Sequence, residues 1–442
     1  MSAWSPVSWQ KFSYQQAATY PDPAQVTRVV EQLSFLPPLV TSGEIRNLKK
    51  AIALAGRGEA FILQGGDCAE SFNDCRSEII NNKLKIMLQM SLVLLYGMRK
   101  PIIRVGRIAG QYAKPRSSEF ETINGITLPS YRGDLVNSQQ FNAQSRIPNP
   151  KLMLQGYSCA AMTLNYIRAL VSGGFADLNH PQQWDLSFVE HSPQANEYKE
   201  IVKSIADSVE FLEAIDGIRS SSLNKVDFYT SHEALHLHYE QALTRQFEDG
   251  WYNLSTHFPW IGMRTAQLDS AHLEFLRGVE NPIGIKVGPS ATGDWLKEIL
   301  TRINPKHEEG RVVLITRLGA KDISELLPPL IEEVKRTKIP VTWACDPMHG
   351  NTETTPEGIK TRHFDNILSE LQQALTIHYD MSSYLGGVHF ELTGENVTEC
   401  IGGARGLNEE DLKQAYHSLV DPRLNYEQSL EMAIQLSREF KQ

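Results

Sequence analysis

Short apolar runs recur along the chain at Ala60–Leu63, Pro101–Val105, Val226–Thr230, Asn253–Thr256, Gly284–Val287, Arg311–Thr316, Val341–Ala344 and Gly387–Leu392. Bounded by Gly, Pro and polar residues and too short for helices, they read as strands buried on both faces. Between them, apolar positions recur with helical spacing near 77–98, 151–172, 233–247, 267–278, 292–302, 320–336 and 364–380, and again after the last run at 408–418 and 426–440. Strand and helix alternate throughout, which demands a parallel sheet with crossover helices. Eight such units predict an α/β fold of the (β/α)8 TIM-barrel type.

Two stretches exceed the minimal barrel. Residues 1–58 form an N-terminal extension, in which Thr41-Ser-Gly-Glu44 has the spacing of a capping box opening an amphipathic helix. The barrel is expected over 59–442, with a helical insertion at about 176–226, after the second barrel helix, whose own helical pattern spans 195–216. Both are expected to cover the barrel, to build a subunit interface or to serve regulation.

Composition narrows the class. The chain has 442 residues with 43 Lys plus Arg against 52 Asp plus Glu, a formal charge of −9. This mildly acidic balance argues against nucleic-acid or anionic-membrane binding, which rely on a basic face. The N-terminus has no basic segment leading into an apolar one, so a cytoplasmic protein is expected. The most apolar stretch, Leu84–Met98, is broken by Lys85, Gln89 and Ser91 and falls short of the roughly 20 residues a bilayer requires. The 5 cysteines are widely spaced and odd in number, so free thiols are expected and no disulfide framework.

In a barrel of this kind the chemistry sits at the C-terminal ends of the strands. The residues following the apolar runs are unusually polar: Gln64-Gly-Gly-Asp-Cys68-Ala-Glu70, Cys345-Asp-Pro-Met-His349-Gly-Asn-Thr, His389-Phe-Glu391, and, between the last helices, Asp421-Pro-Arg-Leu-Asn425. Cys68, His349, Glu391 and Asp421 supply a thiolate, an imidazole and two carboxylates. If the barrel closes they converge as a divalent metal site, suited to Mn²⁺, Co²⁺, Fe²⁺ or Zn²⁺ more than to Mg²⁺ or Ca²⁺. Cations also recur after strands: Arg104, Arg107, Lys114, Arg116, Arg264, Lys286 and Arg317. Cations around one mouth repel one another unless an anion lies between them, so the expected substrate is strongly anionic. His232 and Glu233, at the end of the third run, are candidates for acid–base work.

The motifs QGGDCAE, RIAGQYAKPRS, SYRGD, SHEAL, GIKVGP, CDPMHGNT, KTRHFD, ELTGENVTEC and DPRLN, in this order from about residue 59 to 440, strongly resemble those of the type II 3-deoxy-D-arabino-heptulosonate 7-phosphate (DAHP) synthases. The resemblance implies a barrel enzyme condensing phosphoenolpyruvate with erythrose 4-phosphate, the first step of the shikimate pathway. It implies a metal, Mn²⁺ or Co²⁺ above all, on Cys68, His349, Glu391 and Asp421. Phosphoenolpyruvate contacts would fall on Arg107, Met263, Arg264, Lys286 and Arg317, and erythrose 4-phosphate contacts on Lys114, Arg116 and Ser117, with Lys114, Glu233 and His232 as catalytic candidates. Homo-oligomerisation and aromatic amino acid effectors are expected on the same ground. The resemblance also admits a secondary-metabolism relative, either an aminoDAHP synthase or a phenazine-pathway paralogue, and a non-catalytic barrel acting as a binding partner. One position departs from the family pattern: where WIGERT would be written, the chain reads Trp260-Ile-Gly-Met263-Arg-Thr.

Overall fold

The computed structural model describes residues 4–173, 195–216 and 227–440. In chain order the elements are helices α1 (Pro23–Phe35) and α2 (Ser42–Gly56), strand β1 (Phe61–Gly66), α3 (Ser77–Met98), β2 (Ile102–Arg107), the hairpin β3 (Phe120–Ile123) and β4 (Ile126–Pro129), α4 (Leu152–Ser172) and α5 (Ala195–Asp216). They continue with β5 (Phe228–Glu233), α6 (Leu237–Ala242), the hairpin β6 (Thr244–Phe247) and β7 (Gly250–Asn253), β8 (Phe258–Ile261), α7 (Ala271–Arg277), β9 (Ile283–Val287), α8 (Gly293–Ile303), β10 (Val312–Thr316) and α9 (Ile323–Thr337). The chain ends with β11 (Thr342–Cys345), the hairpin β12 (Thr352–Thr354) and β13 (Lys360–Arg362), α10 (Phe364–Asp380), β14 (Leu385–Glu391) and α11 (Tyr426–Glu439).

Eight strands close a barrel in the order β1-β14-β11-β10-β9-β8-β5-β2. Every neighbouring pair is parallel. This is the predicted (β/α)8 architecture, with one strand displaced. The run Asn253–Thr256 is not the fourth barrel strand; that strand is β8, and Asn253 ends the β6–β7 hairpin instead. A hairpin strand and a barrel strand of four residues carry the same apolar signal, so periodicity alone could not rank them. The hairpin also takes the end of the helix expected over 233–247, leaving α6 short. The helix expected over 408–418 is reduced to a single 3₁₀ turn at Asp411–Lys413. Of the predicted insertion, 176–194 and 217–226 lie outside the described residues, and α5 occupies the stretch where a helix was expected. Among the described residues, no helix is long and apolar enough to cross a membrane.

Alternation along each strand sorts side chains into two layers. Outward residues such as Leu63, Ile285, Leu314 and Phe390 pack against the helix ring in one large core. The inward ones (Ile62, Ile103, Val105, Tyr229, Phe258, Val313, Ile315 and Ala344) form a second cluster with Leu48, Ile52 and Ala55 of α2. Helix α2 therefore plugs the N-terminal end of the barrel. Its start obeys the sequence signal: Thr41 Oγ1 accepts from the Glu44 N–H, and the Glu44 carboxylate accepts from the Thr41 N–H at 2.8 Å.

Arg104 and Arg107 illustrate the same alternation. Three residues apart on β2, they face opposite sides. Arg104 points outward and donates Nε–H to Ser91 on α3 at 2.7 Å, so it does not belong to the mouth, contrary to the sequence expectation.

Candidate active site at the mouth of the barrel

The inner row of each strand changes character as it rises. On β2 it runs Ile103, Val105, Arg107; on β9 it ends in Lys286; on β14 it ends in His389 and Glu391; one residue past β10 stands Arg317. At the top these side chains enclose a pocket lined by Cys68, Arg107, Gln111, Lys114, Pro115, Glu233, Trp260, Gly262, Met263, Arg264, Lys286, Arg317, His349 and Asp421. Ten of the residues selected from sequence are therefore brought together. Glu391 lies just beneath and is fully buried.

One wall is acidic. Ligand atoms of Cys68, Glu391 and Asp421 lie within 4.8 Å of one another. The Cys68 thiol lies 3.4 Å from Asp421 Oδ2. His349 joins through Glu391, its Nε2 being 3.1 Å from Oε1. On its other side Nδ1 meets Asp346 Oδ2 at 2.7 Å. Asp346 is itself fixed: Oδ1 accepts the N–H groups of Met348 and His349, and Oδ2 also pairs with Lys286. Burial works against its ionisation, but His349 and Lys286 hold the carboxyl well below the usual range. With Nδ1–H committed to Asp346, His349 Nε2 and Glu391 Oε1 are two acceptors face to face, unless a proton or a metal cation lies between them.

The same wall already attracts a cation. Lys114 Nζ donates to Cys68 Sγ and, at 2.8 Å, to Asp421 Oδ2. Burial would lower its pKa; Cys68, Asp421 and Glu391 together raise it. The Cys68 thiol is pushed up by burial and then by Glu391, so it is protonated until a stronger cation displaces that proton. Glu391 stays ionised despite burial because His349, Arg362, Lys114 and Arg107 surround it. Cys68, Glu391 and Asp421 gathered about a cation, with the His349 imidazole beside Glu391, make a donor set that fits a divalent transition metal.

The opposite wall is basic. Arg107 donates Nη2–H to Glu391 Oε1 at 3.0 Å and to the Cys68 carbonyl at 3.1 Å, and Nη1 lies 2.7 Å from His389 Nε2. Its guanidinium sits 5.3 Å from the Trp260 ring centroid. Nε of Arg107 and Nε of Arg317 are buried without a partner. Burial lowers the Lys286 pKa to about 8, with Asp346 opposing. Two guanidinium groups with an unpartnered Nε in one pocket fit a site that takes an anion.

Glu233 and His232 diverge. Glu233 lines the pocket, its Oε1 is buried without a partner, and burial raises its pKa against the pull of Lys114, Lys286 and Arg107. It lies so close over Gly262 that a Cβ there would collide with Oε1. His232 turns away, its Nε2 2.8 Å from Glu240 Oε1 and its ring pressed on Gly110. That one-residue offset on β5 separates a pocket group from a supporting one. Arg116 and Ser117 stand at the rim. Arg116 pairs with Glu121 at 3.4 Å, and Ser117 Oγ accepts from Arg264 Nη2 at 3.1 Å. Met263 lays its Sδ and Cε over Gly288.

Sequence reasoning missed the supports. Glu70 accepts three consecutive N–H groups, of Ala109, Gly110 and Gln111, at 3.0, 2.9 and 2.8 Å, and Gln111 Oε1 accepts the Glu233 N–H at 2.8 Å. Glu370 accepts from Leu318 and Gly319, both at 2.9 Å, and from Asn351 at 2.7 Å, tying the Arg317 loop to the His349 turn. Arg362, with no exposure, reaches Glu391 Oε2 at 2.8 Å. Arg362 and Glu70 stand inside the motifs KTRHFD and QGGDCAE, which is the signal that could have found them.

Comparison with known proteins agrees with this geometry. A model of the class-II DAHP synthetase family matches residues 4–437. The chain is similar to the phospho-2-dehydro-3-deoxyheptonate aldolase of Neurospora crassa, at 45% identity over 99% of this chain and 95% of that one. It is 43% identical to the protein of the same name from Streptomyces coelicolor, over 98% of this chain and 97% of that one. A third relative, from Mycolicibacterium smegmatis, is 43% identical over 96% of this chain and 91% of that one. The chain belongs to the class-II DAHP synthetase family.

Proposed function

We propose that this member of the family is a metal-dependent DAHP synthase: it joins phosphoenolpyruvate to erythrose 4-phosphate with water, giving DAHP and phosphate. The observation that carries the reading is the meeting, in one pocket, of an acidic and thiol-bearing wall with a wall of incompletely satisfied cations.

Arg107, Lys286, Arg317 and Arg264 would hold the phosphate and carboxylate of phosphoenolpyruvate, with Met263 supplying a backbone N–H. Arg107 is preorganised by Glu391, His389 and Trp260, so little ordering remains to be done when the anion arrives. Lys114, Arg116 and Ser117 would take the second, phosphorylated aldehyde from the rim side. Fixing two anions in reacting orientation contributes several kcal/mol, on the order of 7–11 in the best cases. A divalent ion on Cys68, His349, Glu391 and Asp421, Mn²⁺ or Co²⁺ in preference to Zn²⁺ or Fe²⁺, would supply Lewis-acid polarisation of the aldehyde oxygen.

The chain's own groups move the protons. The enol carbon C3 attacks the aldehyde carbon, and the Lys114 ammonium protonates the resulting alkoxide oxygen. Water then adds at C2, and Glu233, with an unpartnered oxygen and a raised pKa, accepts its proton. Cleavage of the C2–O bond expels phosphate, which leaves carrying the remaining hydroxyl proton as hydrogen phosphate, and the ketone is left behind. The proton held by Glu233 returns to Lys114 through solvent. His232 takes no part in these transfers; it braces Glu240 and the backbone beneath Glu233.

The test is phosphate release from phosphoenolpyruvate and erythrose 4-phosphate. Chelation should abolish it and Mn²⁺ or Co²⁺ should restore it; full turnover in excess chelator would sink the reading. Activity only with an amino-bearing acceptor phosphate would move the protein to the secondary-metabolism branch.

A further inference from the structure

Three of the four metal-site residues sit at the ends of β1 and β14 or in the turn after β11, where the barrel itself spaces them. Asp421 does not. It lies on the excursion between β14 and α11, and something must fix it against Cys68. We infer that Arg423 is the positioning residue that sets the Cys68–Asp421 separation, acting as a buried three-point clamp between the two loops that carry them; this rests on the metal-bearing reading above.

Arg423 lies two residues beyond Asp421 and is 8% exposed. All three of its guanidinium nitrogens are engaged. Nε and Nη2 fork onto Glu399 Oε2 and Oε1 at 3.0 and 2.8 Å. Nη1 crosses to Asp67 Oδ1 at 2.7 Å, and Asp67 is the residue before Cys68. Glu399 and Asp67 have no exposure at all. Glu399 also accepts the N–H groups of Ser418 and Arg423, both at 2.8 Å, and of His417 at 3.2 Å, so it shapes the whole 417–423 turn. On the other side Lys83 of α3 pairs with Asp67 Oδ2. The chain beyond the clamp is zipped to β14: Leu424 N donates to the Glu391 carbonyl at 3.0 Å, and Thr393 N to the Leu424 carbonyl at 2.9 Å. Asp421 is thereby delivered beside Glu391 and opposite Cys68.

A buried ion network of this kind is a weak device for stability, because desolvation offsets its attraction. It is a strong device for geometry. The planar fork satisfies two carboxylates in fixed directions, which a lysine ammonium cannot reproduce. Partners behind metal ligands tune affinity by roughly 10–100-fold.

The experiment titrates the full-length apo protein with Co²⁺ alone, following the thiolate-to-cobalt absorption band and the melting temperature. Wild type should show the band. Arg423→Lys should remain folded and bind Co²⁺ at least tenfold more weakly, with the band shifted or diminished. Asp67→Asn, which keeps the shape and replaces the charge-assisted arm of the clamp by a neutral hydrogen bond, should weaken binding by a smaller factor and supplies the answer if Arg423→Lys fails to fold. Wild-type affinity and an unchanged band in folded Arg423→Lys, or in Asp67→Asn where the lysine variant is unfolded, would overturn the inference. Absence of the band in wild type would remove the metal reading itself, and the clamp with it.

Discussion

The two ends of the barrel solve opposite problems with the same strands. At the base, Ile62, Ile103, Val313 and Ile315 meet Leu48, Ile52 and Ala55 of α2 in an apolar cluster, and ion pairs such as Arg57 with Glu59 and Glu309 lie at its exposed edge. At the mouth the same inner rows end in Arg107, Lys286, Glu391 and Arg317, with polar atoms left unpartnered. The base is complete as it stands. The mouth is left with unpartnered polar atoms, which on the proposed reading anions and a cation would complete. Alternation lets one sheet carry both, since each strand needs to change character only in its last one or two inward residues.

The largest effect should come from breaking the mouth. Cys68→Ser exchanges a soft thiolate for a poorly ionised hydroxyl and is expected to lower turnover about 1000-fold, or about 4 kcal/mol, with a melting temperature within a few degrees of wild type. Unchanged metal content and rate would remove Cys68 from the site. Ile52→Ala makes the reverse cut: it should cost roughly 2–5 kcal/mol of stability through the cavity it leaves, while the Michaelis constants measured well below the melting temperature stay put. A loss of catalysis in that folded variant would falsify the separation of base from mouth.

The third cut is made with pH. Lys286 has a pKa lowered to about 8, so it is charged below that value and neutral above it. On the proposed reading the charged form binds the anion, so the Michaelis constant for phosphoenolpyruvate should rise with pH above about 8, approaching tenfold per unit. Lys286→Met should raise it at neutral pH and remove that slope; a slope surviving in the variant would assign it to another group. The smallest effect concerns Met263, whose side chain rests on Gly288 and whose expected contact is its backbone N–H. Met263→Glu should shift the Michaelis constant by less than about fivefold, or roughly 1 kcal/mol. A large gain in turnover would mean that the wild-type pocket is adapted to a different substrate.

The barrel was legible because seven of its strands have no competing apolar run beside them, the β3–β4 hairpin after β2 being largely exposed, so a short apolar run had one reading. It failed where β7 and β8 follow each other within a few residues: two short apolar runs compete, and only tertiary pairing with β5 and β9 decides between them. The mouth was legible because the topology puts strand-end residues together whatever the loops do. His232 and Arg104 were misjudged for one reason, the twofold alternation that sends neighbouring side chains to opposite faces. Asp67 and Arg423 escaped because a buried charge whose partner is 356 residues away leaves no local pattern, and Glu399, 24 residues before Arg423, pairs with it at no helix or strand spacing. Their pairing exists only once Asp421 is folded back against the first strand.

Closure of the barrel joins β1 to β14, the first strand to the last. During synthesis the outer edge of β1 emerges early and waits, at roughly 5–20 residues per second, on the order of tens of seconds for its second neighbour. Until residues 385–391 leave the ribosome, that edge is an open row of amide and carbonyl groups, and the underside of the α2 plug has only part of its socket. Such edges invite pairing with another chain, and a contact so distant in sequence is entropically slow to form. The seam between β1 and β14 is therefore where a nascent chain is most exposed to misassembly.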